Sequence, residues 1–129
     1  NHPRPDMVLK DKVAGLAGGV QDKKDGATEP KVPGAVHSAD IEYAMGNLST
    51  NTVFAWNADD YAISDIFESY YANFIKTGNP NGLGLPEWTP INGQSVAPVM
   101  QIDVNSYLKT DPTLQKRYER IDKAIYGDK

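Results

Sequence analysis

The sequence contains no cysteine, which excludes disulfide bonds, thiolate nucleophiles and zinc–thiolate sites. It is also poor in histidine, with only His2 and His37 among its 129 residues. His2 lies at an end of the chain that we expect to fray, and no HxxxH or HExxH spacing provides a histidine pair for a metal. We therefore predict neither a metal ion nor a cofactor.

Long apolar runs and an excess of positive charge are missing too. No stretch approaches the roughly 20 apolar residues that a membrane span needs, and no signal-peptide pattern opens the chain. The net charge is −4, with Lys and Arg scattered among acids, so no basic stripe exists to follow a phosphate backbone. We expect neither a membrane nor nucleic acid as a partner, and the sequence indicates no compartment.

The amino-acid composition is that of an ordinary folded protein, with 40% hydrophobic and 23% charged residues. It predicts one folded segment over residues 1–129. Residues 1–32 give the weakest signals. Pro3 and Pro5 favour an extended entry, the glycines that follow argue against a helix, and residues 21–33 have the composition of a surface loop.

The clearest element is a helix over residues 57–77. Asn57 is a suitable N-cap, while Gly78 and Pro80 end the helix. Apolar residues recur with helical spacing and form one wide face, made of Ile63, Ile66, Phe67, Tyr70, Tyr71 and Phe74. Such a face needs another layer to cover it.

The sequence after this helix offers few elements that could form such a layer. Residues 79–93 are rich in Gly, Pro and Asn and predict a loop, and residues 99–103 predict one short strand. A last helix is predicted from Asp111 to about Tyr126, with a narrow apolar stripe that packs along one seam: Leu114, Tyr118, Ile121 and Ile125. Because these elements do not make a sheet, we expect a second copy or a partner to cover the Ile63, Ile66, Phe67, Tyr70 and Phe74 face.

The stretch PGAVHSADIEYAMGN, residues 33–47, carries the one internal histidine. Histidine transfers protons near neutral pH, and a position on a tight loop suits a residue that reaches into a cleft. The alternative is a surface or hydrogen-bonded structural histidine. Ser38 is a poor nucleophile for His37 because adjacent side chains diverge. Asp40 and Glu42 are expected to satisfy amides in the first turn of a short helix.

These residues resemble a known family. Residues 34–47 resemble the segment with the catalytic histidine in type-B carboxylesterases, the α/β-hydrolase family that includes cholinesterases and bacterial para-nitrobenzyl esterases. A second block resembles the same family at the right distance: YYANFIKTGNPN, residues 70–81, followed by PEWTP, residues 86–90. The resemblance extends over roughly residues 33–91.

The resemblance implies a fold, a reaction and a site. The fold class is α/β, as a C-terminal fragment of an α/β-hydrolase fold that is mainly helical with one or two short strands. In this family the triad order is Ser, then acid, then His, so His37 is implied to be the general base. The serine and the acid would precede Asn1, and this chain alone would be inactive toward small-molecule esters. Tyr43, Met45 and Leu48 are implied to line one wall of the substrate pocket.

Two further interpretations stay open. The chain is either part of a working esterase or part of a catalytically dead, cholinesterase-like binding module. It is also compatible with a split enzyme that docks on a separate subunit. In each case the apolar helix face would be covered by the N-terminal part of the same esterase or by a second copy.

Overall fold

A computed structural model describes residues 2–9, 11–14, 20–23, 34–93 and 96–127 of the protein. As the sequence predicts, this described part is mainly helical with short strands. The elements in chain order are β1 (Lys12–Ala14), β2 (Val20–Asp22), α1 (Ile41–Ala44), a 3₁₀ turn (Leu48–Thr50), α2 (Ala58–Thr77), β3 (Val99–Gln101), β4 (Tyr107–Lys109) and α3 (Pro112–Tyr126).

The strands form two separate antiparallel hairpins instead of the one or two strands expected. In the first, Lys12 lies opposite Asp22, and the two side chains form an ion pair on an exposed edge. This hairpin corrects the loop prediction at residues 21–22, while residues 24–33 of that loop lie outside the described residues. In the second hairpin, Met100 lies opposite Leu108.

Helix α2 begins and ends where its sequence signals predict. The Asn57 side chain accepts hydrogen bonds from the amides of Asp59 at 2.8 Å and Asp60 at 3.4 Å. The Asp60 carboxylate accepts one from the Asn57 amide at 2.9 Å, which completes a capping box. Gly78 ends the helix at a φ of 75°, a conformation that glycine adopts without steric cost.

The core lies between α1, α2 and the second hairpin, which is formed by β3 and β4. Its buried residues are Tyr43, Leu48, Ile63, Tyr70, Met100 and Ile102. Ile63 and Tyr70 are thus covered by the chain itself, which corrects the expectation that the whole apolar face of α2 requires a partner. Tyr71 and Phe74 stay 49% and 58% exposed, so only the C-terminal half of that face is open.

Helix α3 begins at Pro112 behind an Asp111 cap, as predicted. None of its residues is buried by the described part of the chain. Tyr118, Ile121 and Ile125 are 62%, 52% and 64% exposed. Leu114, the first residue of the predicted seam, is partly buried, so most but not all of the seam is open in the described part of the chain, and the helix itself is confirmed.

Candidate functional site

His37 lies in a tight turn just before α1. The turn is closed by a hydrogen bond from the Ala39 amide to the Val36 carbonyl at 3.1 Å. Ser38, the residue after the histidine, has a φ of 61° and is the one described non-glycine residue in the left-handed region. The His37 side chain is exposed, and it makes no hydrogen bond with any other described residue.

Arg4 fixes this turn from the side. Its Nη2 donates to the Ser38 carbonyl at 3.1 Å and also forms an ion pair with Glu42. The Arg4 side chain is only 9% exposed, and its guanidinium carbon lies 5.0 Å from the centre of the Phe54 ring. Arginine over an aromatic face gains a cation–π attraction, which is stronger away from water.

Backbone pairing brings Arg4 to this position. The Ala55 amide donates to the Asp6 carbonyl at 2.9 Å, and the Val8 amide donates to the Val53 carbonyl at 2.8 Å. Met7 and Phe54 form an antiparallel bridge between these two bonds. Residues 6–8 therefore pair with residues 53–55, and the N-terminal segment that was expected to fray is instead attached.

A polar network lies beneath the turn. The Tyr43 hydroxyl donates to Asp60 Oδ1 at 2.6 Å, and Asp60 is fully buried. His2 Nε2 lies 3.2 Å from the same oxygen, and His2 Nδ1 lies 3.3 Å from Asp103 Oδ1. Burial, and then the hydrogen bond to the Asp60 carboxylate, raises the pKa of the Tyr43 hydroxyl. The network therefore holds Tyr43 neutral and joins α1, α2 and the N-terminal segment.

The carboxylates near His37, those of Asp40 and Glu42, do not make the contacts with helix amides that the sequence predicted. Asp40 stands at the start of α1 but makes no side-chain capping bond, and Glu42 binds Arg4 instead of the helix amides. The other Glu42 oxygen accepts a hydrogen bond from the side-chain Nδ2 of Asn51 at 2.8 Å. Neither carboxylate is hydrogen-bonded to His37 among the described residues.

The residues predicted to line a substrate pocket have different environments. Tyr43 and Leu48 are 4% and 1% exposed and belong to the core, whereas Met45 is 69% exposed. A small cavity of about 50 Å³ lies under the turn, with Tyr43, Ala39 and Asp40 in its wall. That volume suits one or two water molecules and excludes an ester substrate.

A larger groove of about 660 Å³ lies elsewhere, between the C-terminal half of α2 and the loop after it. Its wall includes Tyr71, Phe74, Trp88 and Ile91, and it includes no residue of the His37 turn. The groove is therefore separate from the His37 turn. Its residues Tyr71 and Phe74 are the part of the predicted helix face that the described chain leaves open.

Sequence reasoning missed Arg4, His2, Asp60 and Asp103. Arg4 stands between Pro3 and Pro5, and His2 directly precedes Pro3, a pattern that signals an extended segment but not the part of the chain that it contacts. In the sequence Asp60 is an ordinary acidic residue near the start of α2, and its hydroxyl partner Tyr43 is 17 residues away in the chain. Long-range pairing of this kind has no local sequence signal.

Among the described residues, no three metal-ligating side chains form a cluster. None of the described helices has both the length and the apolar composition of a membrane span.

The His37 turn presents an accessible imidazole on a backbone that Arg4 anchors. An accessible imidazole can exchange a proton with a group that approaches from outside this chain.

Comparison with known proteins gives the arrangement a context. The model of the carboxylesterase family matches residues 19–121. Pyrethroid hydrolase Ces2e of Rattus norvegicus is 33% identical over 58 residues, which are 45% of this chain and 10% of that protein. Carboxylesterase 5A of Canis lupus familiaris is 37% identical over 82 residues, which are 60% of this chain and 14% of that protein. The chain thus spans a small part of the length of both relatives.

Proposed function

Because this chain belongs to the carboxylesterase family, an α/β-hydrolase family, we propose that it supplies the general base of a serine esterase. The base is His37, and the substrate is a small-molecule carboxylic ester. The serine and the acid of the triad are contributed by residues outside these 129. The single observation that carries the proposal is the exposed, anchored His37 turn within a segment that resembles the family's catalytic histidine loop.

The contacts around His37 support an outside serine and acid. The sequence has no GxSxG motif, the turn that exposes the nucleophile in this fold. Glu42 is held by Arg4 and Asn51, and Asp60 is buried against Tyr43, so neither is free to orient the imidazole. An exposed imidazole on a fixed turn leaves room for both missing groups.

In the proposed reaction the neutral imidazole of His37 removes the proton from the serine hydroxyl as its oxygen attacks the ester carbonyl. The imidazolium then returns that proton to the departing alkoxide, and an acyl-enzyme with free alcohol results. Water repeats the sequence, with His37 as base and then as acid, and releases the carboxylic acid. The sequence has no GxSxG serine for the first step, and the chain alone is proposed to be inactive.

The decisive experiment joins this chain to a serine-bearing partner. Residues 1–129 are fused to the part of a carboxylesterase that carries the GxSxG serine and the acid, and hydrolysis of para-nitrophenyl butyrate is followed. We expect turnover by the fusion, none above buffer by the chain alone, and a loss of about 10⁴-fold or more in His37→Ala. Added imidazole should restore part of the activity of His37→Ala, because a free base replaces the missing side chain.

The matched control is Lys76→Ala, an exposed side chain in the last turn of α2, which should leave turnover unchanged. Full activity of His37→Ala in the fusion would contradict the assignment. Turnover by the isolated chain that His37→Ala abolishes would show that the nucleophile lies within these residues. A folded fusion without any turnover would favour the binding module.

The open groove supports a further part of the proposal, namely that the remainder of the esterase covers Tyr71 and Phe74. Burial of apolar surface gains about 25 cal/mol per Å², and both rings are about half exposed. Light scattering separates this interpretation from a second copy as the cover. The isolated chain should associate at high concentration, and the fusion should be monomeric.

A further inference from the structure

We propose that Arg4 is a positioning residue for His37, because its guanidinium fixes the backbone of the histidine turn while Glu42 fixes the guanidinium. The inference rests on the proposed role of His37 as the general base. Arg4 precedes residues 19–121, which match the family model, so the family match itself assigns it nothing. Arg4 touches the backbone next to the histidine and not the reacting atoms.

The first step of the argument is the conformation of the turn. Ser38 has a φ of 61°, which a residue with a β-carbon adopts only when its surroundings favour it. Arg4 Nη2 donates to the carbonyl of this same residue at 3.1 Å. The hydrogen bond therefore holds the peptide group between Ser38 and Ala39, one residue beyond His37, and so stabilises a turn with an otherwise unfavourable φ.

The second step is the support of Arg4 itself. Glu42 pairs with Arg4 through one carboxylate oxygen, and its other oxygen accepts from Asn51 at 2.8 Å. The Asn51 carbonyl accepts from the Trp56 indole nitrogen at 2.7 Å. A continuous series of hydrogen bonds thus runs from Trp56 to the His37 turn, and each member limits the rotation of the next.

The third step is burial. The Arg4 and Glu42 side chains are only 9% and 17% exposed, so water screens their attraction less than at the surface. Catalytic groups must be held within about 0.5 Å of their productive position. An anchored guanidinium that binds the backbone beside the imidazole meets this need, whereas a solvent-exposed pair would not.

A single nitrogen of Arg4 makes both contacts, and this gives the test a conservative variant. Lysine also ends in one nitrogen with several donors, so Arg4→Lys should keep the Ser38 and Glu42 contacts in part. Arg4→Met keeps the length of the side chain and its packing on Phe54 but removes every donor. A role in positioning predicts that Arg4→Lys rescues activity, and a role in packing predicts that the two variants behave alike.

The experiment measures kcat and KM of the serine-bearing fusion with para-nitrophenyl butyrate. Arg4→Met should lower kcat by about 10- to 100-fold with little change in KM, since misplacement of a catalytic group by about 1 Å costs about that much. Arg4→Lys should recover most of this loss. The control is Lys12→Met, which removes the exposed Lys12–Asp22 ion pair of the first hairpin and should leave kcat unchanged.

Other outcomes separate this inference from the function on which it rests. Normal kcat in Arg4→Met, together with loss of activity in His37→Ala, would overturn the role of Arg4 and leave the general base in place. Activity in both variants would overturn both. If Arg4→Met does not fold, Glu42→Gln decides, because it weakens the hold on Arg4 but keeps the Asn51 contact. Unchanged kcat in Glu42→Gln would then overturn the inference.

Discussion

Helices α2 and α3 start from similar signals and have opposite environments. Asn57 caps α2 and Asp111 caps α3, and both helices carry apolar residues at helical spacing. Helix α2 buries Asp60, Ile63, Ser64 and Tyr70, whereas the described part of the chain buries no residue of α3. Caps and periodicity therefore specify that a helix forms, but they do not specify what covers it.

The difference comes from contacts between distant parts of the chain. Ser64 donates to the Tyr43 carbonyl at 2.8 Å, and the Tyr70 hydroxyl donates to the Pro86 carbonyl at 2.5 Å, so α2 is fixed on two sides. The Trp88 ring also packs edge-to-face on Tyr70 at 5.3 Å between ring centres. On α3, by contrast, Tyr118, Ile121 and Ile125 are all more than half exposed. Substitutions in the two helices should therefore differ strongly in their effect on stability.

The largest contrast is expected from one matched pair of isoleucines. Ile63→Ala should lower the free energy of unfolding by about 2–5 kcal/mol, because it leaves a cavity at a residue that is 3% exposed. Ile121→Ala should change it by no more than about 0.5 kcal/mol, since Ile121 is 52% exposed. Urea denaturation followed by circular dichroism measures both. Equal losses would mean that α3 is covered in solution.

A smaller loss is expected at the buried hydroxyl that joins α1 to α2. Tyr43→Phe removes the donor to the buried Asp60 carboxylate and should cost about 1.5–3 kcal/mol of unfolding free energy. Tyr118→Phe on α3 is the matched control, because its hydroxyl belongs to a ring that is 62% exposed. A Tyr43→Phe protein as stable as the wild type would show that this hydrogen bond contributes no net stability.

The Tyr43 hydroxyl also makes the free energy of unfolding depend on pH. The pKa of Tyr43 is raised above its ordinary value of 10.0, first by burial and then by Asp60. The folded state therefore retains this proton when the unfolded state has lost it. The stabilisation that the protonated Tyr43 hydroxyl gives the folded state is complete below about pH 10 and declines as the pH rises further. Wild type should lose stability above pH 10 more steeply than Tyr43→Phe, as measured by urea denaturation at pH 9 and pH 11.

Local signals account for much of what the sequence predicted. The ends of α2 and the start of α3 follow from Asn57, Gly78 and Asp111, because a cap is a contact between near neighbours. The short strand was predicted to extend to Asp103 but ends at Gln101. Asp103 instead forms a turn in which its carbonyl accepts from the Ser106 hydroxyl at 2.7 Å.

In the candidate site, too, some residues follow from the sequence and others only from long-range contacts. His37 was predicted from the family resemblance of residues 34–47 together with that of residues 70–81 and 86–90. Arg4 was not, because its partners Ser38 and Glu42 are 34 and 38 residues away in the chain. Local composition also misassigned His2, which contacts Asp60 and Asp103 across the fold. A sequence pattern identifies the histidine of the candidate site, but the residues that contact its turn are brought there by tertiary pairing.

The two helix caps provide the next test. Asn57→Ala removes the acceptor for the Asp59 and Asp60 amides and should cost about 1 kcal/mol of unfolding free energy. Asp111→Ala should reduce the helical signal at 222 nm without a shift of the urea midpoint, since the described part of the chain buries no residue of α3. A shift of the midpoint in Asp111→Ala would show that α3 unfolds together with α2.

The smallest expected effect is an acid-dependent loss of helix confined to α3. Hydrogen bonds from the Thr113 hydroxyl and amide hold the pKa of the Asp111 carboxyl below its ordinary value of 3.8. The ionised cap therefore favours the helix above that pH, and its contribution declines as the pH falls through the lower pKa of the folded state. Between pH 6 and pH 2, wild type should lose more signal at 222 nm than Asp111→Asn, whose cap does not titrate. Because α2 is capped by the uncharged Asn57, Asn57→Ser should leave this difference unchanged, whereas identical acid profiles of wild type and Asp111→Asn would remove Asp111 as the cause.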